Sequence, residues 1–200
     1  MTTGKEYMNK QIQEAIRVFN QGGIVIFPTD TAFGIGCRVD NTAAVHKLYK
    51  IRRRPSTQAA SLLVADEAMA KVYVTDISKD VKEKLMKPFF PGGLTLVLQS
   101  RIGMIPSLVM GGGQTIGIRM PDHDNVLSVI RGVGVPILGP SANFHGEKTP
   151  FRQEDLDPAL IKQVDYILSG ICKKSKASTV IDCTSSPWKI IREGAVTITL

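Results

Sequence analysis

Short apolar segments rich in β-branched residues alternate along this chain with segments whose apolar residues recur at helical spacing. The run at 24–27 is continuously apolar, which is typical of a strand buried on both faces. Before it, one apolar stripe extends from Met8 to Phe19, and Gly22-Gly23 provides the end of a helix. Because such alternation builds sheets covered by helices, the sequence predicts an α/β fold with a mostly buried mixed sheet.

The other elements follow the same two patterns. Further helices are predicted after Asn41, after Ser78, over 122–131 and over 155–163. The further predicted strands are 32–39, 61–65, 94–98, 115–120, 135–138, 179–183, 189–192 and 196–200. Since neither an internal repeat nor a change of composition divides the chain, we expect a single domain over residues 1–200.

The chain carries a formal net charge of +7, which favours an anionic partner such as a nucleic acid, a nucleotide or a membrane surface. No apolar run approaches the roughly 18 residues that span a bilayer, and residues 1–10 are too polar for a secretory signal. Cys37, Cys172 and Cys183 lie far apart, which predicts reduced thiols rather than a disulfide framework or a zinc ribbon. We therefore expect a cytoplasmic protein without a membrane segment.

Two predicted strands end in polar residues of the kind that open α/β sheets use to bind ligands. Thr29, Asp30 and Thr31 follow the first strand, and Ser141 and Asn143 follow a later one. The alternative interpretation is a pair of turns whose side chains satisfy only local backbone groups. The residues by themselves leave both interpretations open.

Positive charge is concentrated at 50–54 and recurs at Arg119. The guanidinium groups of the cluster match phosphate oxygens, although a basic helix end also complements the negative pole of the helix dipole. Arg119 shares a strand face with Thr115, and an arginine on a buried strand requires an anion. That anion is either a ligand or the carboxylate of a structural ion pair.

Two glycine turns, at 91–93 and 111–113, precede strands but lack the Lys-Ser/Thr pair and the helix of a phosphate-binding loop. We interpret them as positions of special backbone geometry. His46, His123 and His145 show neither metal-ligand spacing nor a neighbouring nucleophile. The sequence therefore predicts neither a catalytic triad nor a protein-bound metal.

Seven segments of the chain, taken in order, resemble the YrdC domain family, the threonylcarbamoyl-AMP synthases. The resemblance spans about residues 10–200, and its specificity comes from the joint order and spacing of the segments. The segments are GGIVIFPTDTAFGIG at 22–36, RRRP at 52–55, PGGLTLVL at 91–98, TIGIRMPDHD at 115–124, PILGPSAN at 136–143, STVIDC at 178–183 and IIREGAV at 190–196.

The resemblance implies a single YrdC-like domain, with a twisted mixed sheet, flanking helices and a positively charged concave face. It implies that L-threonine, bicarbonate and ATP are converted to L-threonylcarbamoyladenylate, pyrophosphate and water. Magnesium would accompany ATP and be bound mainly by phosphate oxygens. The product would serve threonylcarbamoyladenosine formation in tRNA, with separate proteins completing the transfer, and the domain could contact tRNA or other double-stranded RNA.

The resemblance also implies roles for individual residues, none of them a nucleophile or an acid or base. Substrate threonine would be contacted by Thr31, Arg119 and Ser178. The residues implied to bind ATP are Arg52, Arg54, Thr115, Ser141, Asn143 and Arg192.

Four positions depart from the family pattern. Arg52 replaces the usual lysine, Phe33 the usual tyrosine, Ala65 the usual histidine, and Gly93 the second proline of Pro-Gly-Pro. The alternative to an enzyme is therefore a catalytically weakened module that binds RNA or nucleotide. A carbamoyl-adenylate enzyme of the hydrogenase-maturation type would require zinc-finger-like parts, for which the chain has no cysteine pairs.

Overall fold

The computed structural model describes residues 4–199, so Met1–Thr3 of the polar start and Leu200 of the last predicted strand lie outside the described residues. The longer helices are α1 Gly4–Asn20, α2 Thr42–Ile51, α3 Glu67–Tyr73 and α6 Asp124–Val133. The shorter helices are α4 Lys79–Val81, α5 Lys87–Phe89 and α7 Pro158–Ile161, with a π-helical turn over Lys82–Met86 and 3-10 turns at Ser107–Met110 and Gln153–Asp155.

Nine strands complete the fold. They are β1 Val25–Phe27, β2 Gly34–Gly36, β3 Leu62–Leu63, β4 Leu94–Gln99, β5 Thr115–Arg119, β6 Ile137–Leu138, β7 Tyr166–Ile167, β8 Thr179–Asp182 and β9 Lys189–Arg192. Across residues 4–199, no helix is both long enough and apolar enough to cross a membrane.

The strands form two hydrogen-bonded ladders that both mix parallel and antiparallel pairs. The smaller has the order β2-β1-β7 and the larger β6-β3-β5-β4-β8-β9. They meet along what we call the seam, the antiparallel contact between residues 33–39 and 136–142. Four backbone bonds of 2.8–3.1 Å cross the seam. The mixed α/β class is thus confirmed, while the predicted single sheet is two ladders joined by these bonds.

Burial shows which face of each helix packs against the core. The apolar stripe of α1 packs against α6 through Ala15, Val18 and Phe19, in a cluster that also holds β1 residues. A larger cluster fills the space between α2, the π-helical turn and the six-stranded ladder. As expected, Asn41 caps α2, because its side chain accepts a 3.0 Å bond from the Ala44 amide.

Several boundaries differ from the predictions. The segment 196–199 is not a strand, although Val196 bonds to Thr179 through its backbone. The helix expected over 155–163 is reduced to α7, and α3 and β7 were not predicted. Strand β7 has two residues and α3 has seven, and elements of this length carry little periodic signal.

Candidate functional site

A cavity of about 230 Å³ opens where the seam meets the six-stranded ladder. Its wall is rich in guanidinium and hydroxyl groups and contains no carboxylate. Five of the nine predicted site residues line it: Arg54, Arg119, Ser141, Ser178 and Arg192. The strands bring these residues together from positions up to 138 apart in sequence, between Arg54 and Arg192. The cavity is therefore suited to an anion that also offers hydrogen-bonding groups.

An adjoining cleft of about 480 Å³ extends along the face of the six-stranded ladder. It shares Ser61, Thr95 and Arg192 with the cavity wall and adds Thr115, a predicted nucleotide contact. Val97 and Val180 give its floor an apolar character. A polar cavity continuous with a partly apolar cleft can take a ligand with a charged end and a flat uncharged end.

Arg119 lines the cavity from β5 and is also half of a buried ion pair. One of its Nη atoms lies 2.5 Å from Asp30 Oδ1, and its Nε donates to the Gly92 carbonyl at 3.0 Å. Burial lowers the pKa of Arg119, while the Asp30 carboxylate opposes that shift. The predicted ion pair is therefore present, and the cavity still reaches Arg119, whose contact with substrate threonine stays a prediction.

Ser178 and Arg192 form a second polar unit on the opposite wall. Arg192 donates to the Ser178 carbonyl through Nε and Nη2, at 3.0 and 2.8 Å, and to Ser178 Oγ at 3.0 Å. Ser178 Oγ also lies 2.9 Å from Thr95 Oγ1. Since no described carboxylate pairs with Arg192, its charge remains available to a ligand.

Arg52 is not at the cavity surface, although it is a predicted ATP contact. Only 2% of the residue is exposed, and it donates to the Asn143 carbonyl at 3.1 Å and to Asn143 Oδ1 at 3.3 Å. Its Nη1 is buried without a partner, and burial together with Arg54 lowers its pKa to about 10. The longer, planar arginine thus folds back onto Asn143.

Asn143 is likewise buried and supports the wall from behind. Its Nδ2 donates to the carbonyls of Phe144 and Glu147, and its Oδ1 accepts a 2.6 Å bond from Ser141 Oγ. Ser141 therefore meets the cavity directly, while Asn143 and Arg52 fix its position. Arg52 and Asn143 thus lie behind the cavity wall, and their direct contact with ATP stays a prediction.

Arg54 reaches the cavity because the chain turns sharply after α2. Arg53 adopts a left-handed backbone with φ of 52°, and its guanidinium lies 4.2 Å from the Phe144 ring centre. Arg54 donates to the carbonyls of Gln58 and Ala59. These bonds orient the Arg54 side chain without neutralising its charge.

At the end of β1, the hydroxyl on the cavity wall belongs to Thr29 rather than to the predicted Thr31. Thr31 is 1% exposed, and its Oγ1 lies 3.1 Å from Thr29 Oγ1. Thr29 Oγ1 also closes the turn by bonding to the Ala32 carbonyl at 2.7 Å. Thr31 thus lies behind Thr29, and its contact with substrate threonine stays a prediction.

Sequence reasoning missed three hydroxyl residues of the wall, namely Ser61, Thr95 and Thr149. Thr95 alternates with buried leucines on β4, a period-2 signal that could have identified it.

The departures from the family pattern also separate in space. Phe33 lines the cavity with its hydrocarbon ring, whereas Ala65 is buried in the α1–α6 cluster.

The His, Cys, Asp and Glu side chains of residues 4–199 are not arranged to bind a metal ion. Among residues 4–199, no three His, Cys, Asp or Glu side chains are grouped so that they could hold a metal. The nearest carboxylate, Asp30, is engaged by Arg119 and by the Asp122 amide. Burial raises the pKa of Cys37 and of Cys183 to about 12, so neither is a thiolate at neutral pH.

His123 lies close enough to Asp30 for their charges to interact. Burial, together with the Lys173 ammonium, lowers the His123 pKa from 6.5, and its buried Nδ1 has no hydrogen-bond partner among residues 4–199. The unfolded chain therefore takes up a proton at higher pH than the folded chain does. This imidazole thus stabilises the fold above pH 6.5, and the contribution is lost as pH falls through the folded pKa.

Lowering the pH from about 7 to about 5 should reduce the free energy of unfolding of both proteins, but we expect a smaller reduction in His123→Gln than in the unchanged protein. Urea unfolding at both pH values measures the difference. His46→Gln is the matched control, because His46 is an exposed histidine on α2. Equal losses in all three proteins would show that His123 does not carry the effect.

Comparison with known proteins agrees with this fold. The family profile of Sua5, YciO and YrdC, described as telomere recombination, matches residues 17–194. Threonylcarbamoyl-AMP synthase of Bacillus subtilis is 36% identical over 194 residues, which are 94% of this chain and 54% of that protein.

Solved structures give the same result. Sua5 of Pyrococcus abyssi in complex with L-threonine superposes with a TM-score of 0.84 at 30% identity, over 92% of this chain and 54% of that one. YciO of Escherichia coli superposes with a TM-score of 0.81 at 28% identity, over 92% and 89% of the two chains. The chain thus spans about half the length of the Bacillus protein and of the Pyrococcus structure. Since the profile covers nearly the whole sequence, the chain belongs to the family of Sua5, YciO and YrdC proteins.

Proposed function

We propose that this chain is a threonylcarbamoyl-AMP synthase, which makes L-threonylcarbamoyladenylate and pyrophosphate from L-threonine, bicarbonate and ATP. The observation that carries the proposal is the single cavity in which Arg54, Arg119 and Arg192 converge with Ser141 and Ser178. A triphosphate and an amino-acid carboxylate are both anions that guanidinium groups bind in fixed geometry. The names of the Bacillus and Pyrococcus relatives support the same activity.

The chemistry has two steps, and the protein supplies position and charge in each. The threonine amine attacks the carbon of bicarbonate, and loss of water leaves a carbamate. A carbamate oxygen then attacks the α-phosphorus of ATP, and pyrophosphate leaves with the electron pair of the broken P–O bond. No step needs a covalent nucleophile, so alignment and charge stabilisation account for the acceleration.

The geometry suggests how the substrates divide the site. Arg119 and Ser178 would hold the threonine end, with Arg119 kept in place by Asp30. Arg54 and Ser141 would face the phosphates, and Thr115 in the adjoining cleft would lie beside the nucleoside. Arg192 lines both spaces and would stabilise charge where they meet. Arg52 and Asn143 would act on ATP through Ser141.

Magnesium enters this proposal as the counterion of ATP, bound by phosphate oxygens rather than by the protein. The donor set fits that role, because the wall offers hydroxyls and cations and no carboxylate. Magnesium would supply neutralisation of the phosphate charge. Neither Arg54 nor Ser141 would have to ligate it.

We further propose a cytoplasmic protein whose product is passed to tRNA by separate transfer proteins. The net charge of +7 is compatible with contact to tRNA or other double-stranded RNA. The second candidate function, a weakened RNA- or nucleotide-binding module, is favoured by one observation. The guanidinium at the usual lysine position, that of Arg52, is turned toward Asn143.

Pyrophosphate release tests the proposal directly. The protein is incubated with ATP, magnesium and bicarbonate, and each amino acid is added in turn. We expect release that depends on L-threonine and on bicarbonate, with threonylcarbamoyl-AMP detected by mass spectrometry. Salt-sensitive binding of tRNA without any threonine-dependent release would contradict the enzyme and support the binding module.

A further inference from the structure

Lys174 lies on the loop of residues 168–178, which connects β7 to β8. The same loop reaches the wall three residues later, at Ala177 and Ser178. The Lys174 amide donates to the Asp30 carbonyl at 2.9 Å, so the backbone at Lys174 is tied to the residue that fixes Arg119.

The ammonium of Lys174 lies close to Gly93, the residue after the one whose carbonyl Arg119 contacts. Its Nζ lies 3.6 Å from where a Cβ at Gly93 would stand, and Thr31 Cγ2 lies 3.4 Å from that point. Arg119 Nε bonds to the carbonyl of the preceding residue, Gly92. Within residues 4–199, the exposed Lys174 side chain has neither a hydrogen bond nor an ion pair. Its neighbour Lys173 is paired with Asp122 at 2.9 Å.

Charge explains why a free ammonium matters here. Arg119 is neutralised by Asp30, so this pair by itself offers a carboxylate hydrogen bonds but little net positive charge. Arg192 supplies one cation, although it also faces the cleft assigned to the nucleotide. An α-carboxylate at Arg119 would therefore be bound more tightly if a second cation, the Lys174 ammonium near Gly93, also contacted it.

We propose that Lys174 binds the carboxylate of the amino-acid substrate together with Arg119. The inference rests on the proposed function and names the group that recognises the acidic end of that substrate. Lysine suits the position, because a flexible point charge can reach a carboxylate from a loop without a fixed fork geometry.

Calorimetric titration of L-threonine into the full chain tests the inference. Lys174→Met keeps the length of the side chain and removes the charge, and we expect the Kd for L-threonine to rise roughly tenfold. Lys174→Arg should retain most of the affinity. Lys176→Met is the matched control, since Lys176 is an exposed lysine of the same loop, and its Kd should change less than about twofold.

Titration of ATP separates the possible outcomes. The Kd for ATP should be nearly the same in Lys174→Met and in the unchanged protein. An unaltered threonine Kd in Lys174→Met, or an equal loss of ATP affinity, would overturn the inference. If threonine binding depends on Lys174 but pyrophosphate is not released, the proposed reaction fails and the inference stands. If the unchanged protein binds no L-threonine, both are wrong.

Discussion

Arg119→Ala is expected to reduce threonine-dependent pyrophosphate release by about 10²- to 10³-fold. The change removes a charged donor from the cavity wall, and loss of one such donor from a water-excluded site costs about 3–4 kcal/mol of transition-state stabilisation. Because the guanidinium would hold the amino acid, the loss should appear as a lower kcat/KM for threonine, with a smaller effect on the KM for ATP.

The same change should destabilise the fold by about 3–5 kcal/mol, since Asp30 would remain buried and charged without its partner. Asp30 is 1% exposed, so water cannot take the place of the guanidinium without rearrangement. Urea unfolding measures this free energy, and the activity assay must be run where the variant is folded.

A double variant separates the two effects. Arg119→Ala with Asp30→Asn removes both charges, so part of the lost stability should return, whereas pyrophosphate release should stay low. Recovery of release along with stability would show that Arg119 acts only through the fold. Full activity in the single variant would remove Arg119 from the threonine site altogether.

Several elements could be predicted from local sequence patterns, such as the stripe of α1, the alternation on β4 and the cap at Asn41. Strand β7 has two residues, Tyr166 and Ile167, and is defined by pairing with β1 about 140 positions earlier. No local pattern in the sequence predicts such a pairing.

The site divides in the same way. Ser141 follows a predicted strand and Arg119 lies on one, the family resemblance implied a role for each, and both line the cavity. The burial of Arg52 could not be predicted, because its partner, Asn143, lies 91 residues away and becomes a neighbour only through the seam. Thr29 and Thr31 are equivalent in sequence, and only the turn closed by Thr29 Oγ1 decides which faces the cavity.

Gly36→Ala is expected to destabilise the protein by more than about 3 kcal/mol, at the upper end of what overpacking costs. Gly36 lies in β2 at the seam, where a Cβ would stand 1.9 Å from the Leu138 carbonyl oxygen. That oxygen is backbone and cannot rotate away as a side chain would. The strand that contains Leu138 is held against β2 by two backbone bonds of 2.9 Å, from Leu138 N to Cys37 O and from Ile35 N to Pro140 O.

Urea unfolding of Gly36→Ala should show a transition at much lower denaturant concentration than in the unchanged protein. Gly113→Ala is the control, because a Cβ at Gly113 would have as its nearest neighbour the Met110 carbonyl oxygen at 3.4 Å, and its stability should change by less than about 1 kcal/mol. Ser141 lies within the seam, opposite Gly34, so any folded Gly36→Ala protein should also bind ATP more weakly. If its unfolding transition and ATP affinity were both unaltered, residues 137–141 could shift without loss, and the seam would not be what positions Ser141.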